Sequence, residues 1–129
     1  MVARKRVSAR TPWEETVGYS RAVKVGKVIV VSGTAPSDAR GVIVGKDDAY
    51  AQTIFAIEKI GNALNELGAS LEDVVRTRIY TTDISLWKEI ARAHRKFFSE
   101  VKPANTLVQV SKLIDQDMLV EVEVDAIKD

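Results

Sequence analysis

Leu119-Val120-Glu121-Val122-Glu123-Val124-Asp125-Ala126-Ile127 alternates apolar and acidic residues with a period of two. Successive side chains of a strand point to opposite faces, so this segment reads as a half-buried β-strand. Val120, Val122, Val124 and Ala126 make a face suited to burial under helices. Glu121, Glu123 and Asp125 make the other face, with Leu119 and Ile127 at its ends. Three carboxylates in a row admit two readings. One is a solvated sheet face with weak cross-strand ion pairs. The other is a face that meets a second subunit or lines a cleft.

Working outward, Val74 to Thr81 is a second strand, with Val75, Thr77 and Ile79 on one face and Arg76, Arg78 and Tyr80 on the other. Between these strands, Trp87, Ile90, Ala91, His94, Phe97 and Phe98 recur at helical spacing, with Asp83 or Ser85 as cap and Pro103 as stop. A strand follows at about Thr106 to Val110, joined to the last one by the polar turn around Asp115-Gln116-Asp117. Upstream, Tyr50, Ile54, Ile57, Gly61, Leu64 and Leu67 mark another helix, capped by Asp47 or Asp48 and stopped at Gly68. Before it, Arg21–Val25 and Val28–Ser32 flank Gly26-Lys27, a two-residue hairpin signal. Val42-Ile43-Val44, between two glycines, reads as a short third strand, and residues 1–17 as an irregular lead-in.

The order β-β-β-α-β-α-β-β implies an α+β fold in one domain, 1–129. Right-handed crossovers would build a mixed β-sheet with two helices packed on one face.

The 129 residues suffice for a core without staples. The absence of cysteine excludes disulfides, thiolate metal sites and a cysteine nucleophile. A single histidine excludes a multi-histidine metal site, and no cofactor motif is present. No apolar run is long enough for a membrane span, and no apolar stretch follows the basic start Met1-Val2-Ala3-Arg4-Lys5-Arg6. The expected location is therefore the cytoplasm. A net charge of +1 gives no push toward nucleic acid, which is not an expected partner.

Five short motifs then coincide in order. Gly18-Tyr19-Ser20-Arg21-Ala22-Val23-Lys24-Val25-Gly26, Ser32-Gly33-Thr34-Ala35-Pro36, Asp73 through Asp83, Phe97-Phe98 with Pro103-Ala104, and Leu119–Glu123 resemble the Rid family, the YjgF-type reactive-intermediate deaminases. The resemblance spans about Gly18 to Ile127. It implies a chorismate-mutase-like fold and a homotrimer with small-molecule clefts at the subunit interfaces. It also implies hydrolysis of a 2-imino or enamine acid to a 2-oxo acid and ammonia.

By the same resemblance, Glu121 holds the attacking water, and Tyr19, Ser32 and Gly33 line the cleft. Glu123 shares the face of Glu121, and His94 is a further candidate for the cleft. The family's carboxylate-binding arginine follows Pro-Ala, and here that position is Asn105. Asparagine supplies neither charge nor a bidentate fork. A second departure is Ala91, where many family deaminases carry asparagine. Ordinary 2-imino acid deamination should thus be absent or weak, unless Arg21, Arg76 or Arg78 takes over the anchor. The expectation is a Rid-family trimer that binds a small molecule or hydrolyses a related C–N bond. The alternative is a non-catalytic small-molecule-binding or chaperone-like trimer, and a ribonuclease or translation-inhibitor role ranks below both.

Overall fold

The computed structural model describes residues 3–8 and 11–129. Met1 and Val2, the first residues of the basic start, lie outside the described residues. The elements run β1 Arg4–Val7, α1 Pro12–Val17, β2 Ala22–Val25, β3 Val28–Thr34, α2 Ala49–Glu66, β4 Val74–Thr81, α3 Trp87–Phe98, β5 Ala104–Gln109 and β6 Val120–Ile127. They form one six-stranded sheet in the order β1-β2-β3-β6-β4-β5.

β6 is central, antiparallel to β3 on one side and to β4 on the other. β3 and β4 are therefore parallel, linked across β6 by α2. β4 and β5 are directly parallel, linked by α3. Both crossovers advance in the same direction along the sheet. Equal handedness then puts both helices on the same face. Their apolar stripes meet the apolar face of β6: Val120, Val122 and Ala126 have no exposed surface, nor do Ile57, Ile60 and Leu64 of α2 or Ile90 of α3. The expected chorismate-mutase-like α+β architecture is present.

Local signals explain the boundaries. The Asp48 carboxylate accepts from Ala51 N–H at 3.0 Å at the start of α2, and Gly68 follows its end at φ 79°. Asp83 caps a 3₁₀ turn, Ile84–Leu86, that leads into α3, rather than α3 itself.

Three expectations are corrected. Val42-Ile43-Val44 is no sheet strand; Ile43 makes one isolated bridge to Ser37. Gly41 and Gly45 have φ of 81° and 73°, and the Asp38 carboxylate accepts from the N–H groups of Arg40 and Val42. The run is thus folded on itself as a loop. The sixth strand comes from the lead-in instead. Arg4–Val7 pairs antiparallel with β2 as an edge strand, its charges suited to an edge. α1 follows, with Thr11 before Pro12 and the Glu14 carboxylate accepting from the Thr11 N–H at 3.3 Å. The register of β4 also slips between Val74 and Arg76, so Val74 is buried while Val75 is exposed.

The stripe of α3 turns slightly from its expected position. Ile90, Ala93 and Phe98 are buried, whereas Trp87 is 49% exposed and Ala91 faces outward.

Candidate functional site

The site begins with a break in the sheet. Val31 pairs with Val124 and Thr34 with Val122, so Ser32 and Gly33 together oppose Glu123. One extra residue on β3 is a β-bulge, which re-aims the backbone around it. The bulge is held from β2: Ser32 N–H donates to the Arg21 carbonyl at 2.9 Å, and Ser32 Oγ to the Ser20 carbonyl at 2.7 Å. The Gly33 carbonyl accepts from Arg21 Nη2 at 2.6 Å.

Gly33 has no left-handed φ, so it is not a turn glycine. Its missing Cβ allows a close approach. A Cβ there would overlap Glu121 Oε1 and lie 3.0 Å from Glu121 Cδ. The carboxylate is thus seated against the bulge backbone.

Tyr19 follows Gly18, whose φ of 88° closes α1. The Tyr19 ring centre is 5.8 Å from Arg21 Cζ. Tyr19, Arg21, Gly33 and Glu121 line one cavity of about 240 Å³, with Trp13, Ile114 and Met118 among its apolar walls. Burial pushes the Glu121 carboxyl above its ordinary range, Arg21 draws it back, and Glu123 adds to the rise. Arg21 is 4% exposed, and burial is also the main influence lowering its pKa, opposed by Tyr19, Glu14 and Glu121.

Four expected residues stand elsewhere. Ser32, its hydroxyl turned to the Ser20 carbonyl, lines the depression beside Arg4 and Arg6 instead of this cavity. Glu123 shares the face of Glu121 but not the cavity. Its Oε1 accepts from the Tyr80 hydroxyl at 2.6 Å and lies 3.7 Å from Arg78 Nη1, which is also 3.3 Å from Asp125. Asn105 and His94 belong to the helix side of the sheet. Asn105 Nδ2 donates to Thr77 Oγ1 at 2.8 Å, and Thr77 Oγ1 is 2.9 Å from His94 Nε2. Thr77 is fully buried, opposite Val124 in the register. Burial lowers the His94 pKa, so the ring is neutral near pH 7. The Thr77 hydroxyl can accept from Asn105 and still either donate to Nε2 or accept from it, so it serves both neutral tautomers of the ring. Within one chain, Asn105 and His94 therefore do not join Tyr19, Gly33 and Glu121.

Other residues matter that periodicity did not single out. Buried Gln52 on α2 donates to the carbonyls of Gly45 and Asp117 and accepts from Leu119 N–H at 2.7 Å. It thus fixes the entry to β6, two residues before Glu121. Lys59 Nζ donates to the carbonyls of Ala35 and Ser37 and to Ser37 Oγ, and its pKa is lowered to about 8, first by burial and then by Arg21. Neither polar residue disturbs a helical stripe enough to be flagged from sequence.

Arg4 and Arg6 of the basic start lie in β1 and line a depression that also holds Glu14 and Glu15. Among the described residues, no cluster of His, Asp or Glu could hold a metal ion, and no helix is long and apolar enough to cross a membrane.

A family model described as endoribonuclease L-PSP (Ribonuc_L-PSP) matches residues 10–128. A RutC family protein of Pyrococcus abyssi is 40% identical over 111 residues, 86% of this chain and 87% of its own. The 3-aminoacrylate deaminase RutC of Acinetobacter baylyi is 35% identical over 104 residues, 81% of this chain and 82% of its own. The crystal structure of Rv2704 from Mycobacterium tuberculosis, described as a member of the YjgF/YER057c/UK114 family, superposes with a TM-score of 0.88. It is 45% identical, and the match covers 97% of this chain and 99% of that one.

Proposed function

The chain belongs to the YjgF/Rid family, and from that premise we propose a homotrimer whose interface clefts hold a small molecule, with Glu121 positioning water to hydrolyse a C–N bond. The carrying observation is the seat of Glu121: a half-buried carboxylate pressed against the Gly33 backbone inside a cavity. The raised pKa brings this group nearer to neutrality, where a carboxylate both takes and returns a proton effectively.

In such a step, water adds through oxygen to the carbon of a C=N bond while Glu121 accepts its proton. The nitrogen takes a proton, the C–N bond breaks, ammonia leaves and a carbonyl remains. Assembly is supported by the helix-free sheet face, where Val28, Val30, Val108 and Ile127 are exposed beside the acidic ladder. A monomer gains nothing from that apolar area, and a second copy would bury it.

Asn105 sets the substrate question. With no arginine at this position, a standard 2-imino acid loses its family anchor. The RutC relative's name adds an enamine acid as a neighbouring substrate class, whose carboxylate needs a partner just as a 2-imino acid's does. The paired acids near Arg4 and Arg6 weigh against RNA as ligand.

The test is ammonia release from 2-imino acids generated in situ and from 3-aminoacrylate, using wild type, Glu121→Gln and Asn105→Arg. Turnover that falls about 10²–10⁴-fold in Glu121→Gln supports the hydrolase. A gain by Asn105→Arg over a silent wild type means that the rest of the site is intact for 2-imino acids. Silence of all three on every substrate leaves the binding-only trimer. Sedimentation equilibrium at the mass of three chains checks the assembly.

A further inference from the structure

Two polar residues of α2 hold the loops that wall the Glu121 cavity. β3 ends at Thr34, and Ala35 and Ser37 beyond it line the cavity, as does Met118 before β6. Gln52 grips the backbone on either side of Met118, at the Asp117 carbonyl and the Leu119 N–H. Lys59 follows seven residues later, two turns along the same side of the helix. Its Nζ donates to the Ala35 carbonyl at 3.0 Å, the Ser37 carbonyl at 2.9 Å and Ser37 Oγ at 3.2 Å. The three protons of the ammonium thus meet three acceptors.

Other backbone bonds of this segment run to the loop that follows it. The Pro36 carbonyl accepts from Val44 N–H at 2.8 Å, and Asp38 N–H donates to the Val42 carbonyl at 2.9 Å. The Lys59 bonds tie the segment to α2 instead. A charged group is a costly tether here, because its ammonium bonds to neutral oxygens only. Among the described residues, the ion pairs engage Lys27, Lys46 and Arg78, not Lys59. Its pKa is lowered to about 8, first by burial and then by Arg21 before β2, against Asp38 of the loop and Glu14 of α1. Glu66 of α2 lines a small cavity with Lys59, and Glu58 and Glu72 line a groove with it. Gln52 does the corresponding work without charge. A charged donor makes each bond roughly twice as strong as a neutral one, and makes the hold depend on a proton.

We propose that Lys59 is a positioning residue: its ammonium clamps the Ala35–Ser37 wall of the Glu121 cavity, and loss of its charge loosens that wall. Any effect on turnover rests on the reading of that cavity as the reaction site. Lys59 does not line the cavity and acts through the backbone of residues that do. The ammonium keeps its proton below about pH 8 and loses it above, so the wall is held at neutral pH and released on the alkaline side.

The experiment measures amide hydrogen exchange by NMR on the whole chain, wild type, Lys59→Met and Lys59→Arg, from pH 7 to pH 9.5. Val44 and Asp38 report on the wall, and the amides of β6 report on the fold. In Lys59→Met the wall amides should exchange about tenfold faster at pH 7, with a smaller change in β6. In wild type they should speed up with pH more steeply than those of β6, and Lys59→Met should lack that excess. Lys59→Arg, which stays charged throughout, should keep part of the protection at pH 9.5. Unchanged wall exchange in Lys59→Met, or a wild-type excess that persists in it, would overturn the proposal. If Lys59→Met does not fold, the wild-type excess and its absence in Lys59→Arg still decide. Turnover of 3-aminoacrylate should show an alkaline fall in wild type that Lys59→Met lacks, with Lys59→Met about tenfold slower at pH 7. Matching pH profiles in the two proteins sink the positioning role and leave the hydrolase standing. The predicted exchange with no turnover of any C–N substrate sinks the hydrolase and leaves the clamp.

Discussion

Two polar clusters lie on opposite sides of one sheet. On the helix side, Asn105, Thr77 and His94 form a chain of hydrogen bonds at 2.8 and 2.9 Å. On the other side, Tyr19, Arg21, Gly33 and Glu121 surround a cavity, with an unpartnered guanidinium nitrogen and a carboxylate displaced from its ordinary pKa. The first arrangement satisfies its groups with one another, as a buried polar network must if it is to stabilise a fold. The second leaves charge and donors unsatisfied, and such groups concentrate where a ligand completes them. Being polar and partly buried does not distinguish a site from a structural network; completeness of the hydrogen bonding does.

That contrast can be broken from either side. The largest effect is expected for Gly33→Ala, whose new methyl group would overlap the Glu121 carboxylate. Moving that group by about 1 Å should lower Glu121-dependent turnover on the order of 10²-fold. The atoms met belong to the end of a flexible side chain beside a cavity, so the urea unfolding free energy should change little. Wild-type turnover would mean that the close approach is incidental.

Thr77→Val is the converse test. It removes the hydroxyl shared by Asn105 and His94 and should destabilise by about 1–3 kcal/mol. Glu121-dependent turnover should not change, and its loss in the folded variant would show that the two clusters are coupled. Asn105→Ala removes one donor at an exposed edge strand, and about 0.5–1.5 kcal/mol is expected in the same urea titration.

The smallest effects are in pH dependence, and the two clusters should differ in sign. The folded pKa of His94 lies below its ordinary 6.5. The unfolded chain therefore binds the proton first, and stability is lost as pH falls from about 6.5 toward the folded value. The folded pKa of Glu121 lies above its ordinary 4.5. The folded chain retains that proton longer, and stability is lost as pH rises from about 4.5 through the folded value. Melting temperatures against pH should flatten on the first limb in His94→Gln and on the second in Glu121→Gln. A variant that flattens the opposite limb would reverse the assignment.

Much of the fold was legible. The period-two alternation of Val120–Ala126 and the helical stripes around Ile57 and Ile90 led to the right layers. The signals of the N-terminal region were weaker. Thr11-Pro12-Trp13-Glu14 is a helix-start pattern, but β1 is an edge strand with mostly charged residues and no alternation to read. Val42–Val44 misled in the other direction, since three apolar residues look like a strand whether or not a partner strand lies beside them. In the candidate site, motif resemblance singles out Tyr19, Ser32, Gly33 and Glu121; Tyr19, Gly33 and Glu121 line one cavity, and Ser32 turns to the Ser20 carbonyl. His94 and Asn105 were grouped with them although the sheet separates them within the chain.

Residue order alone set the alternation of faces, the helix starts and stops, and the polarity of the uncovered face. These depend on backbone geometry over a few residues. Only the tertiary structure decided which polar groups meet. The slip at Ser32-Gly33 places a glycine beneath Glu121, and the packing around it buries Arg21 at the same cavity. The pairing of β4 with β5 sends Asn105 to Thr77 instead. A one-residue change in register exchanges the faces of a strand, and such a change arises from pairing between segments far apart in the chain.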